Sequence, residues 1–181
     1  MNFATLPLGP QPPNEIYGIV EIPQGSSNKY EYRPELGVFV LDRVLYSPLF
    51  YPCEYGWIPE TLSEDGDPLD VLILATHPTF PGCVLVARPV GALRMRDEKG
   101  VDHKVIAVSA RDPRFDGMIA LADLPPHRLT EVEHFFRVYK ELEHKETEIL
   151  GWLGREETGE VIMACHARAL ATRPARMRRR A

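Results

Sequence analysis

The stretch Ser63-Glu64-Asp65-Gly66-Asp67-Pro68-Leu69-Asp70-Val71-Leu72-Ile73-Leu74 joins an acidic turn to an apolar strand. Its Gly and Pro favour a turn, and the apolar run after them is typical of a buried strand. The turn carries three aspartates within six residues. Because like charges this close repel each other, fold stability alone would not select them, whereas a bound divalent cation would remove the penalty.

The donor chemistry of this turn indicates which ion it would bind. Carboxylate oxygens with no His or Cys nearby favour the hard ions Mg²⁺, Mn²⁺ or Ca²⁺ over zinc. An EF-hand loop is excluded because Asp70 stands where that loop requires glycine. The alternative is a solvated acidic turn, and the aspartate spacing by itself does not decide between the two.

Strand patterns extend on both sides of the turn, and helical patterns follow them. Strands are predicted at 15–22, 29–32, 38–45, 71–75, 84–95 and 104–108. From residue 125 onward the apolar period becomes helical and predicts helices at 126–144 and 157–171, with a short strand at 147–150 between them. Strands first and helices last predict an α+β fold, a small barrel with helices packed outside.

Length and charge limit the possible functions. The 181 residues fit one domain, predicted to span residues 1–171. The net charge of −5 conceals an asymmetry, because the last ten residues hold five arginines and no acid. That tail, 172–181, is predicted to be disordered. The acidic body should repel nucleic acid and attract cations.

Nothing in the sequence suggests export or membrane insertion. Residues 1–13 carry no charge and no unbroken apolar run, unlike a signal peptide. No stretch approaches the ~20 apolar residues of a membrane span. Cys53, Cys83 and Cys165 are odd in number and far apart, which fits a reducing compartment. We expect a cytoplasmic protein without a membrane partner.

Other charged and phenolic residues suit a phosphate site. A second acidic group, Asp97, Glu98 and Asp102, flanks a predicted hairpin turn, and the two-residue strand period places Lys104 on the same side as Asp102. The remaining candidates are donors of the kind that bind phosphate: Lys29, Arg43, Tyr51, Tyr55, Tyr139 and Lys140. Each of them, taken singly, is more often a surface residue than a ligand.

Taken together, these features resemble the soluble family I inorganic pyrophosphatases. The run Asp65-Gly66-Asp67-Pro68-Leu69-Asp70-Val71 matches the signature of that family. Further matches occur in chain order over almost the whole sequence: Glu21-Ile22-Pro23, Lys29-Tyr30-Glu31, Phe50-Tyr51-Pro52-Cys53-Glu54-Tyr55-Gly56, Arg88-Pro89-Val90-Gly91 and His134-Phe135-Phe136-Arg137-Val138-Tyr139-Lys140. Two departures are Trp57, where a smaller aromatic is expected, and Glu54, where a neutral side chain is common.

The resemblance implies a five-stranded OB-like β-barrel with flanking C-terminal helices, assembled as a homohexamer. It implies Mg²⁺-dependent hydrolysis of pyrophosphate to two orthophosphates, with several Mg²⁺ ions per active site and Mn²⁺ as a substitute. Asp67 would be catalytic, taking a proton from the attacking water. The metal ligands would be Asp65, Asp70, Asp97, Asp102 and Glu31. The substrate-binding residues would be Lys29, Arg43, Tyr55, Tyr139 and Lys140. Supporting positions would be Glu21, Tyr51, Glu98 and Lys104.

Two other functions remain open at this stage. A different metal-dependent phosphohydrolase, acting on nucleotides or phosphate esters, would need a pocket for a base or sugar. An OB-fold nucleic-acid-binding protein would need aromatic and basic residues on the barrel face, where this sequence concentrates carboxylates. A phosphate-release assay separates the two enzymes, and a gel shift at physiological salt tests nucleic-acid binding.

Overall fold

The computed structural model describes residues 3–172, and within them the chain forms eight β-strands and two α-helices. The strands are β1 (Ile16–Ile22), β2 (Asn28–Arg33), β3 (Val38–Val44), β4 (Glu54–Trp57), β5 (Asp70–Leu74), β6 (Val84–Asp97), β7 (Gly100–Ser109) and β8 (Glu148–Leu153). The helices are α1 (Pro126–Val138) and α2 (Arg155–Thr172).

Five of the strands close into a barrel. The order is β1-β4-β5-β7-β6, and β6 pairs back with β1 to complete the ring. Strands β5 and β7 are parallel, whereas the other pairs in the ring are antiparallel. Closure removes the free edges that an open sheet would expose. The predicted α+β fold and its five-stranded barrel are therefore confirmed, with β8 added beside β6.

The barrel wall is buried on both faces. On β5, Leu72 belongs to one apolar cluster, whereas its neighbours Val71 and Ile73 belong to another. This alternation is the two-residue period of a strand. Helix α1 covers the first cluster with Phe135 and Phe136, and α2 contributes to the second. The helical period found in the sequence therefore marks the faces that cover the barrel.

Strands β2 and β3 form a separate two-stranded sheet. Much of β3 is exposed, and Leu41 and Val44 keep about half of their surface in solvent. This hairpin lies beside the barrel, and it carries several of the predicted site residues.

No helix within residues 3–172 is long and apolar enough to span a lipid bilayer.

The predicted element boundaries were partly wrong. Strand β4 was missed because four residues are too short for a periodic pattern. Helix α1 ends at Val138, and the Thr147 hydroxyl donates to the carbonyls of Phe136 and Arg137 in its last turn. Strand β8 runs on to Leu153. The predicted tail, 172–181, lies outside the described residues except for Thr172, the last residue of α2.

Candidate active site

A cleft of about 600 Å³ opens between the β2–β3 hairpin, the acidic turn and the C-terminal end of α1. All fifteen predicted site residues line it. They are Glu21, Lys29, Glu31, Arg43, Tyr51, Tyr55, Asp65, Asp67, Asp70, Asp97, Glu98, Asp102, Lys104, Tyr139 and Lys140. The fold thus brings together residues that are up to 119 positions apart in the sequence, from Glu21 to Lys140.

Charged side chains of both signs line this cleft. Eight carboxylates and seven cationic side chains line it, together with four tyrosines. Within residues 3–172, no histidine or cysteine contributes to the lining. The cationic and phenolic groups can donate to phosphate oxygens, and the carboxylates can bind hard cations.

Lys104 occupies the buried end of the cleft. Strands β5 and β7 run parallel with Asp70 beside Lys104, so the two side chains start from paired positions. Lys104 Nζ contacts Asp70 Oδ2 and lies 2.6 Å from Asp102 Oδ2. The contact with Asp102 confirms that these residues, two apart on β7, point the same way. The Tyr55 hydroxyl also donates to Asp70, at 2.7 Å.

Burial and neighbouring charge shift the protonation of this group. Burial, together with Asp70, raises the pKa of Tyr55 well above its ordinary value. Burial opposes the charge on Lys104, but Asp70 and Asp102 outweigh it and raise the pKa of Lys104 well above its ordinary value. Burial also raises the pKa of Asp102, against the pull of Lys104. The buried end therefore holds a lysine that stays protonated and a tyrosine that stays neutral.

Asp97 and Lys140 form a second pair, between the β6–β7 turn and the end of α1. Lys140 Nζ lies 2.8 Å from Asp97 Oδ2, and both side chains are largely buried. Burial disfavours ionisation of Asp97, but hydrogen bonds from Lys140 and from the Lys99 backbone amide lower its pKa. The β6–β7 turn consists of Glu98 and Lys99. Burial likewise raises the pKa of the neighbouring Tyr139.

The β2–β3 hairpin supplies a third charged group. Lys29 and Arg43 occupy paired positions on the two strands. Lys29 Nζ contacts Glu31, and Arg43 Nε donates to Glu143 Oε1 at 2.8 Å. Asp42 lies within reach of both cations, at 3.5 Å from Lys29 and 2.7 Å from Arg43. The hairpin therefore presents two cations to the cleft, each paired with carboxylates.

The acidic turn forms the open rim. The Asp67 backbone amide donates to Asp65 Oδ1 at 3.1 Å, and Gly66 between them has a φ of +90°, which favours glycine. The Asp67 carboxylate is 63% exposed and lies 3.0 Å from Lys99 Nζ. Asp67 is therefore an accessible carboxylate, as are its neighbours Glu64 and Asp65 in the same turn.

Helix α2 fixes the chain that leads into this turn. The Leu62 amide donates to the Cys165 carbonyl at 3.0 Å, and Arg168 Nη1 donates to the Leu62 carbonyl at 2.7 Å. His166 Nδ1 lies 2.8 Å from the Glu60 carbonyl. These contacts hold the start of the turn against the helix, which explains how an exposed acidic loop keeps a defined position.

Glu21 and Tyr51 lie behind the charged groups. Glu21 Oε1 accepts from the Tyr32 backbone amide at 2.8 Å. Burial is the main cause that raises the pKa of Glu21 from 4.5 to about 7, and nearby Asp70 adds to the shift. Tyr51 is buried among aromatic rings, and burial raises its pKa. Both residues shape the floor of the cleft rather than its rim.

The oxygen atoms of these carboxylates are suitable ligands for a hard divalent cation. In the structure, lysine side chains neutralise the carboxylate charges. Across residues 3–172, no three His, Cys, Asp or Glu side chains converge as a metal-binding group. Instead, Lys104 pairs with Asp70 and Asp102, and Lys99 pairs with Asp67. The donors are all oxygen, as Mg²⁺ and Mn²⁺ prefer. A bound cation would replace lysine as the partner of some of these carboxylates.

Five lining residues with side chains suited to binding or stacking were not predicted from the sequence: Tyr32, Arg33, Trp57, Lys99 and Lys145. Lys99 could have been found, because it lies in the turn between Asp97 and Asp102. Trp57 is notable in the sequence only as a large aromatic where a smaller one is expected, and the structure places it in the cleft. It follows Tyr55 by two residues on β4, so the strand period places both on one face.

The chain is similar to proteins described as inorganic pyrophosphatases. A family model described as "Inorganic pyrophosphatase" matches residues 18–170. The chain is 53% identical over 156 residues to an inorganic pyrophosphatase of Halalkalibacterium halodurans, covering 86% of this chain and 96% of that protein. A Geobacillus stearothermophilus inorganic pyrophosphatase is 52% identical over 153 residues, covering 84% and 93%. The crystal structure of inorganic pyrophosphatase from Thermus thermophilus superposes with a TM-score of 0.91 at 47% identity, covering 94% of this chain and 99% of that one.

Proposed function

The chain belongs to the inorganic pyrophosphatase family, and we propose that it hydrolyses inorganic pyrophosphate to two orthophosphate ions in the cleft. The observation that carries the proposal is the gathering of all fifteen candidate residues around one cavity of about 600 Å³. That volume suits a small ligand. The presence of both cations and carboxylates suits a polyanion that binds together with metal cations.

Substrate binding is assigned to five donors: Lys29, Arg43, Tyr55, Tyr139 and Lys140. Pyrophosphate carries about three to four negative charges near neutral pH, so its hydrolysis requires extensive charge neutralisation. Lys29 and Arg43 reach the cleft from the hairpin, and Lys140 reaches it from the end of α1. These three cations would bind the oxygens of the two phosphoryl groups. Tyr55 and Tyr139 would donate as neutral hydroxyls, because burial raises the pKa of both.

Several Mg²⁺ ions are proposed as cofactors, with Mn²⁺ as a substitute. Their proposed ligands are Asp65, Asp70, Asp97, Asp102 and Glu31. When bound, such ions lower the pKa of coordinated water and neutralise charge on phosphoryl oxygens. Asp70 and Asp102 lie on either side of Lys104 Nζ, so they already converge on one cationic centre.

Asp67 is proposed as the catalytic base. It would accept a proton from the water that attacks one phosphorus atom, while the bond from that phosphorus to the bridging oxygen breaks. Its carboxylate is accessible at the rim, and Lys99 holds it at 3.0 Å. Because Lys99 is itself 61% exposed, it can move aside without loss of a buried contact.

Glu21, Tyr51, Glu98 and Lys104 are assigned supporting roles. Lys104 keeps Asp70 and Asp102 together, and Glu98 lies 3.6 Å from Lys140. Glu21 accepts from the backbone of β2 and so connects that strand to β1. Tyr51 packs between Tyr55 and Phe135, with ring centroids 5.3 and 4.8 Å away.

Assembly and location are part of the same proposal. We expect a homohexamer in the cytoplasm, without a nucleic-acid or membrane partner, as the family resemblance implies. Several large apolar side chains on the protomer are exposed, including Phe50 and Tyr46 at 61% and 64%, and subunit contacts would cover surface of this kind. Analytical ultracentrifugation of the purified protein measures the assembly directly.

The decisive experiment measures phosphate release. Purified protein should release phosphate from pyrophosphate in the presence of Mg²⁺ and stop when a chelator is added. ATP and simple phosphate esters, tested in parallel, should be hydrolysed far more slowly. Faster release from a nucleotide than from pyrophosphate would assign the cleft to a different phosphohydrolase. Absence of release from every substrate would refute the proposal.

A further inference from the structure

The β2–β3 hairpin has few fixed attachments to the barrel. In the described part of the chain it pairs with no strand of the six-stranded sheet. A two-stranded hairpin alone is only marginally stable in water. The hairpin nevertheless carries Lys29, Glu31 and Arg43 into the cleft. The positions of these side chains therefore depend on whatever holds the hairpin.

Besides the hydrogen bond from the Tyr32 amide to Glu21 and the ion pair of Arg43 with Glu143, an aromatic cluster attaches the hairpin. Tyr32 on β2 and Phe39 on β3 are paired across the hairpin, and their ring centroids are 5.2 Å apart. Tyr32 stacks on Trp57 of the barrel strand β4, at 5.6 Å and an interplanar angle of 18°. Tyr32 and Trp57 also line the cleft. The stack thus joins hairpin to barrel beside the candidate ligand Glu31.

Phe3 completes the cluster from the N-terminal segment. Its ring packs edge-on against Tyr32 at 5.0 Å and 76°, and against Trp57 at 5.7 Å and 87°. It also contacts Phe39 at 6.1 Å. Phe3 therefore touches both partners of the stack, which is the arrangement required to keep them together.

The segment that carries Phe3 is itself anchored to the barrel. Leu8 is 4% exposed and belongs to an apolar cluster of the core. Its carbonyl accepts from the Tyr17 amide of β1 at 2.8 Å. A turn follows back along the chain, in which the Leu6 amide donates to the Phe3 carbonyl at 3.0 Å. Phe3 thus reaches the hairpin from a fixed point five residues away.

We propose that Phe3 is a positioning residue for the active site, because it clamps the β2–β3 hairpin and its phosphate-binding cations against the barrel. The inference rests on the proposed pyrophosphatase function for its kinetic consequence. Phe3 does not itself line the cleft, so its effect reaches substrate through Tyr32 and the hairpin. Loosening the hairpin should weaken the grip of Lys29 and Arg43 more than it affects Asp67, which lies on another loop.

If Phe3 acted only through overall stability, its removal would speed exchange in the hairpin and in the barrel strands alike. Within residues 3–172, the four rings of this cluster belong to neither of the two buried core clusters. Removing the Phe3 ring should therefore release the hairpin locally and leave the barrel strands protected. An aromatic contact of this kind changes an equilibrium constant by roughly 2- to 10-fold.

The test compares Phe3→Ala with Phe3→Tyr, which keeps an aromatic ring, and with Phe80→Ala. Phe80 is a matched control because it is 61% exposed and lies away from the cleft lining. Amide hydrogen exchange measured by mass spectrometry gives local opening over residues 28–44, with β5 and β7 as internal references. Steady-state rates of phosphate release from pyrophosphate give KM and kcat.

We expect faster exchange of the hairpin in Phe3→Ala alone, with KM for pyrophosphate raised about 3- to 10-fold and kcat changed less than about 2-fold. Phe3→Tyr should restore both quantities, and Phe80→Ala should match wild type. Unchanged hairpin exchange, exchange raised equally in the barrel strands, or a fall in kcat at constant KM would each overturn the clamp. Because exchange does not depend on turnover, its result tests the clamp even if the wild-type protein releases no phosphate, an outcome that refutes only the proposed function.

Discussion

The two ends of the cleft use the same lysine–aspartate contact in opposite surroundings. At the buried end, the Lys104 side chain is 5% exposed and pairs with Asp70 and Asp102. At the open rim, the Lys99 side chain is 61% exposed and pairs with Asp67, which is 63% exposed. The buried contacts cannot be exchanged for water without cost, whereas the rim contact can.

This difference in burial suits the two ends of the cleft to different roles. Charges at the buried end depend on one another, so they can hold ligands in fixed geometry. A carboxylate at the rim keeps its accessibility and can take part in proton transfer without disturbing the fold. In the proposed mechanism, Asp70 and Asp102 at the buried end hold metal, whereas Asp67 at the rim accepts the proton.

The largest expected effect follows from breaking the buried end at Asp70. Asp70→Asn removes one of the two carboxylates that face Lys104. If Asp70 binds metal, the rate of pyrophosphate hydrolysis should fall on the order of 10⁴-fold at moderate Mg²⁺, and higher Mg²⁺ should restore part of it. Calorimetric titration of the same variant should show weakened Mg²⁺ binding. Unchanged Mg²⁺ affinity would remove Asp70 from the ligand set.

Asp67→Asn tests the rim and should give the next largest effect. Asn keeps the shape of the side chain but cannot accept the proton. The expected loss in kcat is about 10²- to 10⁴-fold, with Mg²⁺ affinity close to wild type and no rescue by added Mg²⁺. Nearly full activity in this variant, or rescue by Mg²⁺, would show that Asp67 is not the base.

The two lysines provide a matched pair for stability. Lys104→Met leaves Asp70 and Asp102 close together without their cation, so metal-free protein should lose about 2 to 4 kcal/mol of unfolding free energy. Lys99→Met should change it by less than about 0.5 kcal/mol, because solvent already screens that pair. Urea unfolding with chelator measures both. Equal losses in the two variants would contradict the division between buried end and rim.

Ionisation of Glu21, at the floor of the cleft, should make the free energy of unfolding depend on pH. Its pKa is raised from 4.5 to about 7, so between these values the unfolded chain ionises while the folded chain keeps the proton. The folded state then binds more protons, and stability must fall as pH rises through this window. Glu21→Gln keeps an acceptor for the Tyr32 amide but cannot ionise.

At pH 8, metal-free Glu21→Gln should therefore exceed wild type by on the order of 3 kcal/mol, whereas the two should agree near pH 4. Urea unfolding at several pH values gives both curves. Parallel curves for variant and wild type would show that Glu21 ionises normally in the folded protein.

The smallest effect is expected from the arginine-rich tail. Truncation after Ala171 removes five arginines and, apart from Met177, no large apolar side chain. Such a segment has little to pack, so kcat with Mg²⁺ should change by less than about 2-fold. A large loss of kcat in the truncated protein would place the tail at the cleft.

Some contacts in the structure could be predicted from the sequence, and others could not. The two-residue strand period correctly placed Lys104 on the side of Asp102. The same period applied to β4 would have placed Trp57 beside Tyr55, but a four-residue strand gives too little pattern to detect. Glu54 was unexpected at its position, yet it is fully buried and accepts hydrogen bonds from Gln24 and Thr79. No local sequence pattern indicates these partners, because Thr79 and Gln24 lie 25 and 30 residues from Glu54.

The sequence by itself determined the order of strands before helices, apart from β4, and the acidic turn before β5, and its resemblance to a known family implied the candidate site residues. These features depend on local periodicity and on motifs, which are written in neighbouring residues. Only the tertiary structure decided that Lys104 would be buried between two aspartates, that Lys99 would stay exposed, and that Phe3 would reach Tyr32 and Trp57. Burial and long-range contact are set by how the barrel closes and what packs against it, and the same residue type acquires different energetics in each place.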